Sequence, residues 1–303
     1  MRYTTSILAA CASLAIAGTA QATTLTNGNV TMGLFDDGGL GSGGVGLNLS
    51  GVGDAITPGC LCEGWGVAAN GTGTYTYGGS NTFDSSAISD VTASSAKSTV
   101  STNGLTVTHT YSPVDGGTLF RIDIKITNDT GADATDIRYA RTLDWDVPPG
   151  HFSDDFTSIY GGTPSGPGGK VLHTSLNPFA APDPMVLRGT YGGVAADTNA
   201  TDATGDLGGY FIFSFGDLAM GESVEFTTYI GAARTLSGLF SEFISVGVEA
   251  YSYTQDNDGD WAFGYGFTGL DLPPIGEVPE PAALALFGLG VLGLGAARRR
   301  RKA

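Results

Sequence analysis

The chain is short of cations, cysteine, histidine and methionine: 14 Lys+Arg stand against 30 Asp+Glu, with 3 Cys, 3 His and 4 Met among 303 residues. The few cations are also unevenly placed. Arg2 and the five cations of residues 298–302 take 6 of the 14, leaving 8, while only Glu280 of the 30 acids lies beyond residue 278, leaving 29. The stretch between the two ends therefore carries about −21. Charge of that sign excludes nucleic acid and anionic membrane surfaces as partners. It suits solubility outside the cell or capture of divalent cations, and a solvated acidic surface accounts for it as well.

Each scarcity removes a class of chemistry. A zinc site needs about four ligands, and His109, His151 and His173 show no finger-like spacing to Cys60 and Cys62. A redox catalyst of the thioredoxin kind has two residues between its cysteines in a βαβ setting, whereas Cys60-Leu61-Cys62 has one. This pair suits a tight disulfide in an oxidising compartment, with free thiols or an intermolecular bridge as the alternatives. No serine occupies a G-x-S-x-G elbow, and no spacing ties a serine, a histidine and an acid together. The run Gly41-Ser42-Gly43-Gly44-Val45-Gly46 fits G-x-G-x-x-G, but no helix pattern follows it. Without a βαβ unit it is no nucleotide loop, and Gly38–Gly59 is expected to be a flexible loop or turn.

Long apolar runs are missing except at the two ends. Met1-Arg2, the mostly apolar stretch Ile7–Ala17 and the A-x-A sequence Ala20-Gln21-Ala22 make residues 1–22 a signal peptide, so that Thr23 begins the mature chain. Leu8-Ala9-Ala10-Cys11 looks like a lipobox, but too few apolar residues precede Cys11 for that use. At the far end Val278-Pro279-Glu280-Pro281 precedes an uncharged run, Ala282–Ala297, and then Arg298, Arg299, Arg300, Arg301 and Lys302. The prolines break the chain and leave Glu280 in an extended segment. As a helix the run would measure about 24 Å, slightly short of a roughly 30 Å hydrocarbon core. The following cations would stay on the cytoplasmic side and snorkel to make up the deficit.

This order of Pro-Glu-Pro, apolar helix and arginine cluster resembles the PEP-CTERM sorting tail of exported proteins of Gram-negative bacteria. The resemblance implies recognition by an exosortase, a membrane protease or transpeptidase that removes the tail. It supplies an address and no activity. The expected domain order is a signal peptide at 1–22, one β domain at 23–269, a Pro/Gly linker at 270–278 and the sorting tail at 279–303. Signal peptidase and exosortase are the expected processing partners. The chain would be held transiently in the inner membrane and then reside at the cell surface or in an exopolysaccharide matrix.

Between the ends, 48 glycines with many Thr, Ser, Asn and Asp describe strands and turns rather than helices. In Phe120–Thr127 the residues Phe120, Ile122, Ile124 and Ile126 face one side, opposite Arg121, Asp123, Lys125 and Thr127. Ile137, Tyr139, Leu143, Trp145 and Val147 share one parity in a second run. Further strands are expected at Gly104–Tyr111, Met185–Tyr191, Tyr210–Phe215, Val224–Ile230 and Trp261–Phe267. The fold class is all-β, an antiparallel β-sandwich or jelly roll. One short helix is expected at Leu236–Ser245, capped by Thr235. The runs Cys60–Val67, Ile137–Pro148 and Ser245–Tyr253 are similar to a group of secreted bacterial proteins with one β-rich domain and no established activity.

Two acidic groups stand out. Asp144 and Asp146 project from one face of their strand, with Arg141 placed to neutralise one of them and His151, Asp154 and Asp155 just after. Such a pair could be a solvated surface feature, a Ca²⁺ or sugar site, or the acid and base of a polysaccharide hydrolase. Asp256-Asn257-Asp258-Gly259-Asp260 resembles half a calcium loop. With Gly259 at the sixth position, Thr254 and Tyr265 fall where the EF-hand needs Asp and Glu, so both anchors fail and a plain turn fits equally. Trp65, Trp145, Trp261, Phe211, Phe213 and Phe215 could line a sugar platform, though core packing is the better use for them. No resident cofactor is called for beyond Ca²⁺ at these acids.

Overall fold

A computed structural model describes residues 23–150, 152, 156–256 and 260–276. The expected signal helix, the segment Val278–Pro281, the apolar helix, Arg298–Arg301, and His151, Asp154, Asp155 and Asp258 lie outside the described residues. Among those described, no helix is long and apolar enough to cross a membrane.

The body is mostly β, with antiparallel pairing and one helix. The alternation in Phe120–Asn128 explains why: Phe120, Ile122, Ile124 and Ile126 are at most 1 % exposed, while Arg121 and Lys125 face solvent. This strand lies inside a nine-stranded sheet. The spatial order there is Ala200–Thr204, Phe156–Tyr160, Ala250–Gln255, Ala262–Thr268, Ser223–Ala233, Phe120–Asn128, Leu105–Pro113, Ala96–Thr102 and Ser85–Ser89. A six-stranded sheet runs Val171–Ser175, Gly208–Leu218, Ala134–Asp144, Gly64–Ala69, Thr72–Tyr77 and Ser80–Asn81.

The inner faces of these two sheets meet through aromatic rings. Tyr139 packs on Phe226 at 5.0 Å, Phe213 on Phe267 at 4.7 Å, and Phe211 and Trp145 each on Tyr265 at 5.7 Å between centroids. Edge-to-face pairs of this kind add about 0.5–1.5 kcal/mol each beyond the area they bury. Trp65, Trp145, Phe211 and Phe213 are all fully buried. They build the core and form no sugar platform.

The helix Leu236–Ser245 forms where its spacing places it. Thr235 Oγ1 accepts the Gly238 amide at 3.0 Å, and Leu239 and Phe243 turn into a cluster with Tyr229 and Tyr253. Three segments depart from expectation. Met185–Tyr191 forms no strand, because Arg188 turns inward and ties this stretch down through its side chain. The strand expected to reach Val147 stops at Asp144. There three successive amides go to three different segments: Asp144 to Cys62 O, Trp145 to Leu207 O and Asp146 to Ala55 O. The Pro148-Pro149 pair behind them has no amide hydrogens to carry a ladder further.

The glycine-rich stretch is the third. Gly38–Gly59 is folded rather than loose, since Leu40, Leu47, Leu49, Ala55 and Ile56 are all fully buried. It contributes Leu47–Leu49 and Gly53–Asp54 to a four-stranded sheet with Thr23–Asn27 and Val30–Leu34. The Asp54 carboxylate accepts the amides of Gly46, Ile56 and Thr57 at 2.7, 2.9 and 2.9 Å. The glycines allow close backbone approach: a Cβ on Gly33 would collide with the Ser42 and Val45 carbonyl oxygens.

Candidate functional site

The end of the Ala134–Asp144 strand gathers carboxylates. Asp144 ends the strand and Asp146 lies two residues beyond it, and each is 1 % exposed. Asp206, exposed at the surface, joins them: one oxygen from each of the three carboxylates lies within 4.8 Å of the others. Cys60 and Cys62 are joined by a disulfide with their Cα atoms 5.2 Å apart, and Cys60 Sγ sits 3.4 Å from Asp144 Oδ2. Gly59, at φ 69°, runs so close that a Cβ there would meet Phe152 at 2.7 Å and Asp146 Oδ2 at 3.6 Å.

Partial burial raises the Asp206 carboxyl above its ordinary value. Burial also raises the Tyr191 hydroxyl, helped by the charges of Asp206 and Asp144. Phe179 meets Tyr191 edge-on at 5.8 Å. Three hard oxygen donors converging near a surface suit Ca²⁺. The bridged sulfurs offer no thiolate, so the set Cys60, Cys62 and Asp144 is no site for a soft metal while the disulfide stands.

Arg141 does not neutralise these acids. Its odd parity turns it to the opposite face, where it meets Glu63 at 2.5 Å with both side chains 1 % exposed. Glu63 Oε2 also accepts the Leu40 amide at 2.6 Å. Burial pushes the Glu63 carboxyl up to about 7, against the downward pull of Arg141 and that amide. His109 lies in the same layer, its Nε2 3.1 Å from the Tyr139 hydroxyl, and burial with the Arg141 charge holds its pKa well below the ordinary value. Around them Tyr111 donates to Gly38 O at 2.8 Å and Trp65 Nε1 to Asp37 O at 2.9 Å. These contacts sew the glycine-rich segment onto both sheets.

Arg188, a second buried cation, covers the outer face of the six-stranded sheet. Its guanidinium stacks 3.5 Å from the Tyr210 ring centre and donates to Thr142 Oγ1 at 2.9 Å and to the Asn177 and Ala180 carbonyls. Burial lowers it to about 10. The sequence reading missed Asp206, Glu63 and Arg188. Asp206 is 60 residues from its companions in the chain, and only the pairing of Gly208–Leu218 with Ala134–Asp144 brings it to them.

Of the second acidic run, Asp256 and Asp260 are among the described residues. Asp256 is 8 % exposed, and its Oδ1 accepts the amides of Asp260 and Trp261 at 2.9 and 3.3 Å. Among the described residues, neither Asp256 nor Asp260 joins a group of three metal-ligating side chains.

The outer face of the nine-stranded sheet carries a different surface, a shallow recess of about 560 Å³. Strand register places Lys97, Thr110, Asp123, Thr227 and Thr268 in one row across five strands, with Lys125 and Glu225 paired in the next. Arg121 bonds Asp123 at 2.8 Å and Lys125 bonds Glu225 at 3.3 Å. Six of the eight cations between the chain ends lie outside the core, and three of the six line this recess.

No curated protein matches the chain. Residues 277–301 match the family described as the PEP-CTERM protein-sorting motif. The match covers the far end alone. The chain thus carries a PEP-CTERM sorting motif, which implies an exported protein, anchored at the membrane and then processed by an exosortase, attached to a β-rich domain of unknown activity.

Proposed function

We propose that the β domain is delivered to the cell surface or the exopolysaccharide matrix of a Gram-negative bacterium and acts there by binding, as a β-sandwich, rather than by catalysis. The sorting motif at residues 277–301 is the observation that carries this reading. The recess on the nine-stranded sheet supports it. Its Thr hydroxyls and alternating Lys, Arg, Asp and Glu present many donors and acceptors to a hydroxylated, acid-bearing glycan. A local excess of cations on an otherwise acidic chain favours a carboxylated polysaccharide there over a neutral one. The test is retention of the processed protein on carboxylated and neutral polysaccharides. The expected outcome is retention on the first, weakened by salt and by the Lys97→Ala/Lys125→Ala pair.

A second reading, Ca²⁺ stabilisation, is favoured by the convergence of Asp144, Asp146 and Asp206. It predicts a Tm that rises with millimolar Ca²⁺ and falls with chelator. A hydrolase using Asp144 and Asp146 is the weaker reading, because both side chains are buried.

A further inference from the structure

The segment just before the sorting motif is fastened to the domain. Glu249 immediately precedes the Ala250–Gln255 strand, and its carboxylate accepts three amides of the departing chain: Gly269 at 2.8 Å, Leu270 at 2.8 Å and Leu272 at 3.1 Å. Lys170 grips from the other side. Its amide donates to Leu270 O at 2.7 Å, its ammonium to Gly269 O at 3.0 Å, and it pairs with Asp271 at 3.2 Å. Leu270 is fully buried. Ile275 donates its amide to Val248 O at 2.7 Å and packs into the cluster around Leu239 and Phe243. Gly276 lies against Ile244, which a Cβ would meet at 3.3 Å. Residues 270–276, which read as a linker in the sequence, form a docked strap.

Only Glu277 and Val278 separate the strap from Pro279. At most about 3.6 Å of reach per residue keeps Pro279 within about 11 Å of Gly276. A domain of this size has a radius of gyration of about 18 Å. The tether is thus shorter than the body is wide. Freeing residues 270–276 would add about 25 Å of chain for reaching an enzyme embedded in the membrane.

We propose that the strap is a latch on processing, with Glu249 as a positioning residue: the strap must leave the domain before the sorting motif can be cut. This rests on the reading of the tail as an exosortase substrate. Hydrogen bonds to a charged acceptor are the strong ones, so loss of the Glu249 carboxylate shifts strap opening by at least about tenfold.

The test is pulse-chase processing of the full chain in the producing bacterium. It compares wild type, Glu249→Ala, an eight-residue Gly/Ser spacer between Gly276 and Glu277, the two combined, and Glu280→Ala in the sorting motif. Both Glu249→Ala and the spacer are expected to speed conversion by about tenfold, and the combination to gain nothing over the spacer alone. Because the spacer leaves every strap contact in place, it keeps the proposal open to refutation even where Glu249→Ala misfolds. Conversion that the Glu280→Ala change abolishes but that neither the spacer nor Glu249→Ala alters overturns the latch alone. Absence of conversion in wild type overturns the processing reading and the latch with it. Amide exchange at Leu270 and Leu272, faster in Glu249→Ala than in wild type, separates release of the strap from a general loss of structure.

Discussion

Two buried charged clusters lie along and at the end of one strand, and they are composed differently. Around Arg141 a cation meets an anion, and the anion's second oxygen takes a backbone amide. At the end of the same strand three carboxylates converge, two of them as deeply buried as Arg141. The Arg141–Glu63 pair supplies its own compensation, because burying an ion is tolerable only when a partner of opposite sign shares the site. Three carboxylates that converge near the surface offer oxygens to a hard cation, so the carboxylate end, and not the closed ion pair, is the candidate for a ligand.

Removing one partner of the core pair gives the largest expected effect. Arg141→Ala leaves Glu63 buried alone and should lower stability by about 3–5 kcal/mol in denaturant unfolding. Replacing both by apolar residues of similar size, Arg141→Met with Glu63→Leu, should cost far less. If the double change is as damaging as the single one, the pair is not a self-compensating unit.

Calcium sharpens the other half of the comparison. At 100 times its Kd, Ca²⁺ should add about 2.7 kcal/mol to the wild type. The gain should vanish in Asp206→Asn, whose exposed side chain leaves the fold intact. The Arg141 site should show no response of its own.

The pH dependence is smaller and has a definite sign. Glu63 has its folded pKa raised from 4.5 to about 7, so its contribution is fully present below 4.5 and lost as pH rises toward 7. His109 is depressed and works the other way, losing its contribution as pH falls below its ordinary value. Stability followed from pH 4.5 to 7 in wild type and Glu63→Gln isolates the carboxyl: the variant should lack the component that declines with rising pH.

The smallest effect on stability belongs to the recess. Its ion pairs are about half exposed or more, and such pairs contribute about 0–1 kcal/mol. Lys97→Ala with Lys125→Ala should shift unfolding by less than about 0.5 kcal/mol while reducing retention on carboxylated glycan.

The parts of the molecule that could be read from the chain were those where a local period decides the outcome. Phe120–Asn128 alternates, Leu236–Ser245 repeats at helical spacing behind a Thr cap, and both formed as expected. Asp144 and Asp146 do converge, but the strand stops at Asp144, so period two is not what brings them together. Where partners come from far along the chain, local pattern is silent. Glu63 reaches Arg141 from 78 residues away and Asp206 reaches Asp144 from 62. Glycine misled in the opposite direction. Gly38–Gly59 reads as loose chain, yet its glycines serve close packing around Leu40, Leu47 and Ile56. Likewise Pro273-Pro274 reads as a spacer, while Leu270 and Ile275 on either side are pinned.

The claim that this is an exported, tail-processed protein meets its most direct test in intact-mass and terminal-peptide analysis of the protein recovered from the producing bacterium's surface and matrix. The account predicts a chain that begins at Thr23 and lacks the apolar run 282–297 and the arginine cluster Arg298–Arg301. A chain that keeps Met1, or that runs through to Ala303 outside the inner membrane, would contradict it.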